Sequence, residues 1–141
     1  HIPFGGVANP FDENTPWKNG VFNNVVTDID RYYENIRPNF FIKFDEVVTR
    51  LLMKTGYSKH DINYMVAITQ QKNFDERILN EIGLPNLENA NEFKATLGHF
   101  GGADNYILLN EAIKNKKIKK GDLILELVIG GVAWYASLIR Y

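Results

Sequence analysis

The sequence predicts an α/β fold: a mixed, mostly parallel sheet with crossover helices and a C-terminal hairpin. Three observations carry this. Short apolar runs alternate with segments of helical periodicity, the pattern of strands joined by helix crossovers. Two longer apolar runs near the end are separated by Gly130-Gly131, a hairpin signal. With 141 residues, 45% of them hydrophobic and 23% charged, the chain suits one domain with a true core.

The elements follow in order. Residues 1–20 are rich in Gly, Pro and Asn and read as a long loop. Val25-Val26-Thr27 is a candidate strand. A helix is expected next, with Pro38 in its first turn. Phe40, Phe44, Val47, Val48, Leu51 and Leu52 form its apolar stripe, and Gly56 ends it. Ile62 to Thr69 reads as a buried strand. Asn73 can cap a helix whose stripe is Phe74, Ile78 and Ile82, with Gly83 as the stop. Leu84 to Asn91 is a turn region, and Glu92 to Leu97 is expected to be a strand. Gly98 to Gly102 feeds a helix over about Ala103 to Asn115, whose expected inner face is Ala103, Tyr106, Ile107 and Ile113, flanked by Leu108 and Leu109 and interrupted by Asn110. Leu123 to Val128 and Val132 to Ile139 are the hairpin strands.

Composition excludes several classes. A formal net charge of -1 argues against nucleic-acid binding, which needs a clustered basic surface. The lysines between Lys114 and Lys120 read as a solvated helix end, where cations are favourable. With no cysteine, there is no disulfide, thiol nucleophile or thiolate ligand, and no metal site is expected. The longest apolar run, Leu123 to Ile129, is interrupted by Glu126 and is too short to span a bilayer. No signal peptide is visible, and a cytoplasmic location with no membrane partner is expected. The first residue is His1 rather than Met, which suggests a processed product or a fragment.

The motifs narrow the fold. The closing run KKGDLILELVIGGVAWYASLIRY has a basic turn, a hydrophobic strand, a glycine cluster, then Trp134, Leu138, Arg140 and Tyr141. It resembles the C-terminal end of β-ketoacyl-acyl carrier protein synthase III. HDINYMVAIT resembles that family's Asp-Leu-Asp-Trp-Leu-Val-Pro-His stretch, and IPFGGVANP its Pro-x-Gly-Gly-x-x-x-Pro loop. The likeness implies one half of the thiolase fold. It implies that a nucleophilic cysteine lies in an N-terminal half outside these residues. The implied substrate is a coenzyme A or pantetheine thioester, with no cofactor. The implied partners are that half, an acyl carrier protein, and a second copy in a homodimer.

Two departures from the family pattern matter. Where the family has His-Gln-Ala-Asn, this chain has Ile68-Thr69-Gln70-Gln71, so the histidine position holds Ile68. Where the family has Gly-Asn, this chain has Gly98-His99. LGHFGGA, residues 97–103, resembles instead the Gly-His-Pro-x-Gly-Ala loop of thiolases, whose histidine sits near the cysteine.

Acyl transfer through a thiolate needs the nucleophile, donors for the developing oxyanion, and a group that moves a proton. An imidazole, with an unperturbed pKa of about 6.5, suits the last role. His99 is the candidate, on a glycine turn before a helix; the plainer alternative is a hydrogen-bonded loop histidine. His60 reads as solvated. By resemblance, Gly130 contributes an oxyanion-hole N–H, or is simply a turn glycine. Gln71 and Gly131 are candidate substrate-binding positions. Asn39 resembles an asparagine beside the pantetheine arm, against a first-turn polar residue. Lys43 matches a carrier-docking lysine. Other basic docking positions are replaced by Asn73 and by Asn80-Glu81, which weakens charge-driven docking. Two readings compete: an acyltransferase using His99, and a non-catalytic homologue or structural subunit that keeps the fold.

Overall fold

The structure is a computed structural model and describes residue 30 and residues 32–68, 73–130 and 133–141. The loop expected over residues 1–20, the Val25–Thr27 strand, Gln71 and Gly131 lie outside the described residues. The chain divides into two compact units, residues 1–40 and 41–141. In the first, Tyr32–Ile36 forms a π-helical turn, and the Arg37 guanidinium stands 5.2 Å from the Tyr33 ring centroid. The second carries the remaining elements.

Helix α1 (Ile42–Thr55) opens the second unit. Phe44, Val48 and Leu52 recur every fourth residue and are its buried face. Gly56 ends it at φ 74°, and its N–H bonds the Leu52 carbonyl at 2.9 Å. Pro38 is not in its first turn, because the helix begins only at Ile42 and Pro38 sits in the preceding turn. Proline's fixed φ suits a turn as well as a helix start, so its position alone does not choose between them.

Strand β1 (Tyr64–Ala67) is buried throughout. Helix α2 (Phe74–Glu81) follows, and Ile78 and Ile82 are fully buried. Asn73 occupies its cap position but makes no side-chain cap bond. Phe74 joins α2 to α1 through edge-on contact with the Phe44 ring at 6.1 Å and tilted contact with Phe41 at 5.6 Å.

The expected strand over Glu92–Leu97 is a helix, α3 (Asn91–Leu97). Phe93 and Leu97 fit both a period of two and a spacing of four, so the apolar pattern was ambiguous. Ala95 decides it: it is exposed while Phe93 and Leu97 pack on the core and Lys94 points inward. The Asn89 carboxamide oxygen starts the turn by accepting the Asn91 N–H at 3.0 Å.

A 3-10 turn (Gly101–Ala103) leads into α4 (Asp104–Lys114). Its expected register was right only in part: Ile113 packs on the core, with Leu109, but Ala103 is exposed. Tyr106 is 71% exposed, and the buried stripe is Asp104, Asn105, Leu108 and Ala112. Two polar residues point inward because each has a partner there, described below.

β2 (Leu123–Gly130) and β3 (Ala133–Arg140) form the antiparallel hairpin, in register from Leu123↔Arg140 to Gly130↔Ala133. β1 pairs with β2 in parallel, Tyr64↔Ile124 through Ala67↔Leu127, giving the order β1-β2-β3. The sheet is therefore mixed. Alternation puts Tyr64, Val66 and Ile124 on one face, packed with Leu108 and Ala112 of α4, Ala90 and Ile118. Met65, Ala67, Leu125 and Leu127 on the other face are equally buried, as expected where a parallel pairing is covered on both sides. α1 packs against β3 and α2. Each fully buried side chain of this size contributes roughly 1.5–3 kcal/mol.

Candidate active site

His99 lies between the end of α3 and the start of α4. Gly98 terminates α3 at φ 76°, with its N–H on the Lys94 carbonyl at 3.2 Å. Gly101 holds φ 63°. Side chains other than glycine rarely adopt such angles, so the two glycines set the course of the loop that carries His99.

His99 meets Asp104. Its Nδ1 is 2.7 Å from Asp104 Oδ2, and Asp104 Oδ1 accepts the Phe100 N–H at 2.6 Å. The Asp104 side chain is 1% exposed, whereas that of His99 is 53% exposed. Asp104 is the first residue of α4, where the helix dipole favours a negative charge. With Asp104 ionised, its carboxylate can only accept, and the 2.7 Å bond then takes its proton from Nδ1. The ring is thus held at one nitrogen by a buried acid, while the side chain as a whole is half exposed.

Asn105 fastens the same helix end to the sheet. Its Nδ2 donates to the Leu127 carbonyl at 3.0 Å and to Glu126 Oε1 at 3.3 Å. Ser137 on β3 donates to Glu126 Oε2 at 2.5 Å. Gly130, the candidate oxyanion residue, pairs with Ala133 as the last rung of this ladder, three residues beyond Leu127 on β2.

The other sequence-derived candidates fall elsewhere. Gln71 and Gly131 lie outside the described residues. Asn39 belongs to the first unit, where its Nδ2 donates to the Asn35 carbonyl at 2.9 Å. Lys43 is held by Glu46 in the next turn of α1, at 2.7 Å. His60 is exposed in the 3-10 turn Lys59–Asp61. Ile68 directly follows β1, with its N–H on the Leu127 carbonyl at 3.3 Å. Among the described residues no group of His, Cys, Asp and Glu could hold a metal ion, and no helix is long and apolar enough to cross a membrane.

Sequence reasoning missed Asp104 and a second buried pair. Lys94 Nζ lies 2.7 Å from Asp75 Oδ1, with the side chains 6% and 1% exposed. The ammonium also donates to the Ile68 carbonyl at 3.3 Å. Burial is the first cause pushing the Asp75 carboxyl above its ordinary value and the Lys94 ammonium below its own, and their mutual attraction opposes both. Asp104 was legible in principle, as an acid five residues after a loop histidine at a helix start. Lys94 carried no such signal, because a lysine in that segment reads as solvated.

Residues 52–141 match the model of the 3-oxoacyl-[acyl-carrier-protein] synthase III C-terminal family. A β-ketoacyl-[acyl-carrier-protein] synthase III of Prochlorococcus marinus subsp. pastoris is 32% identical over 99 residues, 67% of this chain and 28% of that protein. The solved 3-oxoacyl-[acyl-carrier-protein] synthase III of Aquifex aeolicus aligns with a TM-score of 0.65 at 26% identity, over 76% of this chain and 36% of that one. The acyltransferase ChlB3 shares the fold, with a TM-score of 0.69 at 22% identity over 84% of this chain and 37% of its own. The chain thus spans between a quarter and two fifths of the length of these relatives. On this family match, and on a mixed sheet flanked by helices as in those thiolase-fold enzymes, the chain belongs to the 3-oxoacyl-[acyl-carrier-protein] synthase III C-terminal family.

Proposed function

We propose that this chain is the proton-handling part of an acyltransferase or condensing enzyme that acts on acyl thioesters in fatty-acid or related biosynthesis. The carrying observation is the His99–Asp104 pair, an imidazole oriented through Nδ1 by a buried carboxylate. This arrangement is the one general-base catalysis needs: a fixed ring with a free nitrogen and a counter-ion for the imidazolium that forms.

The reaction requires a cysteine from an N-terminal half. In the first step the cysteine thiol loses its proton to His99 Nε2, and its sulfur attacks the thioester carbonyl. The carbon–sulfur bond of the donor breaks, and coenzyme A or the carrier leaves as a thiol, taking back a proton. In the second step an acceptor attacks the acyl-cysteine carbonyl, the carbon–sulfur bond to the cysteine breaks, and the cysteine sulfur takes up the proton that the acceptor gives up. Gly130 stands at the end of the hairpin, where a backbone N–H would stabilise the oxyanion. By resemblance alone, Asn39, Gln71 and Gly131 are the proposed substrate-binding positions. The working protein would be a cytoplasmic homodimer, with coenzyme A or an acyl carrier protein delivering the acyl group.

Ile68 at the family's histidine position favours a second reading, a non-catalytic homologue that keeps the fold. Intact-mass acylation of the full-length gene product by acetyl- and hexanoyl-coenzyme A separates the two. Wild type is expected to gain the acyl mass, and His99→Ala to load at least tenfold more slowly. No loading from either thioester would select the non-catalytic subunit. Loading indifferent to His99→Ala would remove His99 from the acylation step.

A further inference from the structure

Three segments around the proposed site meet at one carbonyl. Leu127 of β2 accepts the Ile68 N–H at 3.3 Å and an N–H of Asn105 Nδ2 at 3.0 Å. Ile68 directly follows β1, Asn105 stands in the first turn of α4, and Leu127 precedes Gly130 by three residues. Asn105 Nδ2 also donates to Glu126 Oε1 at 3.3 Å. Glu126 is held in turn by the Ser137 hydroxyl, on the facing rung of β3. The Asn105 amide thus has two acceptors on β2, one for each of its N–H groups.

Asn105 is a poor choice for stability alone. It is 4% exposed, and its Oδ1 has no hydrogen-bond partner among the described residues. A buried acceptor left without a donor is destabilising, and leucine, of nearly the same shape, would fill the same space without one. What leucine cannot supply is direction. Apolar contact is non-directional, whereas hydrogen bonds to two acceptors on one strand restrict both distance and angle. Asn105 therefore sets where the first turn of α4 lies along β2.

The same turn carries Asp104. Consecutive helix positions point about 100° apart, so Asn105 meets the sheet while Asp104 meets the loop. Asp104 Oδ1 accepts the Phe100 N–H at 2.6 Å, and Oδ2 lies 2.7 Å from His99 Nδ1. The linkage from sheet to imidazole is continuous: the Leu127 carbonyl, the Asn105 amide, the peptide bond to Asp104, the Asp104 carboxylate and the His99 ring.

We propose that Asn105 is a positioning residue for His99: its bonds to Leu127 and Glu126 fix the register of α4 on β2, and so hold Asp104 where it meets His99 Nδ1. Asn105 acts only through Asp104. Its effect on rate rests on the catalytic reading of His99, whereas its effect on the ring does not.

The test uses the full-length gene product with nitrogen-15-labelled histidine, under conditions where imidazoles are neutral. The ring nitrogen shifts then report the tautomer, and the His99 signals are those absent from His99→Ala. Wild type is expected to show His99 protonated at Nδ1. Asn105→Leu keeps the packing, removes the unpartnered Oδ1, and leaves the Leu127 carbonyl with Ile68 and Glu126 with Ser137. In it the ring is expected to move toward the Nε2–H form, and release of coenzyme A from acetyl-coenzyme A to fall about tenfold. Ser137→Ala removes a hydrogen bond of the same cluster without touching α4, and is expected to leave the ring unchanged. Where Asn105→Leu does not fold, Asn105→Ala gives the same readout. A folded Asn105 variant with the wild-type tautomer overturns the proposal, whatever its rate. An equal change of tautomer in Ser137→Ala also overturns it, because the ring would then follow the hairpin as a whole. A changed tautomer in Asn105→Leu alone, with unchanged turnover, upholds the positioning role and overturns instead the catalytic reading of His99.

Discussion

Asp75 and Asp104 are the same residue type in the same local setting, and the structure uses them differently. Each stands in the first turn of a helix, and each side chain is 1% exposed. Asp75 closes on a lysine that is itself buried, at 2.7 Å. Asp104 closes at the same distance on a histidine that is half exposed. In the first pair neither partner faces solvent, so it can only bind, and it holds α2, α3 and the end of β1 in place. In the second, one partner is half exposed, the setting that the proposed proton transfer requires. A buried carboxylate is therefore no guide to function until the exposure of its partner is known.

The largest expected effect breaks the closed pair. Lys94→Met alone leaves Asp75 buried and uncompensated, and should destabilise the full-length protein by roughly 3–5 kcal/mol. Adding Asp75→Leu should return most of that stability in the same urea titration. A double variant as unstable as the single one would mean the pair is more than a neutral tie.

Breaking the open pair should act on rate instead of stability. Asp104→Asn can donate where an acceptor is needed, so it favours the wrong tautomer of His99. Acyl loading of the full-length protein should slow by about a hundredfold, near 2.7 kcal/mol of barrier, with the unfolding midpoint little changed. A variant that loads normally would place Asp104 with Asp75 as a structural residue.

A third pair calibrates both. Lys43 and Glu46 are only partly covered, and Lys43→Ala should cost less than about 1 kcal/mol. A larger loss in thermal unfolding would show that exposure is a poor guide to the worth of an ion pair here.

The smallest effect concerns an exposed acid. Asp61 accepts from the Ser58 N–H and hydroxyl, each at 2.7 Å, and these bonds hold its carboxyl below the ordinary value of 3.8, the backbone bond being the larger cause. A depressed folded-state pKa means that the capping contribution is present above 3.8 and is lost as pH falls through the lower folded value. The Ser58 amide shift, followed by NMR, should therefore titrate below 3.8. A midpoint at or above that value would show that the capping box is not formed in solution.

Much of the fold was legible in the sequence. α1 with its Phe44-Val48-Leu52 stripe, β1, α2 stopped near Gly83, and the hairpin around Gly130 were each visible from period and glycine placement. α3 was not, because Phe93 and Leu97 satisfy a strand and a helix equally. The inner face of α4 was misread in part, for a related reason. Apolar counting put Tyr106 inside, whereas Asp104 and Asn105 take the inner positions by finding partners there. At the candidate site, His99 stood out by its glycine loop and its likeness to a family loop. Asp104 was overlooked, and Lys94 was invisible.

By itself the sequence determined the α/β class, the glycine stops and the family motifs, because apolar period and backbone permissiveness are local properties of neighbouring residues. Only the tertiary structure decided which charges are buried and what they meet. Lys94 finds Asp75 nineteen residues away, and Asn105 finds the Leu127 carbonyl at a separation of twenty-two. A charge enters the core only where a partner already waits, and that meeting is set by how the sheet and helices pack.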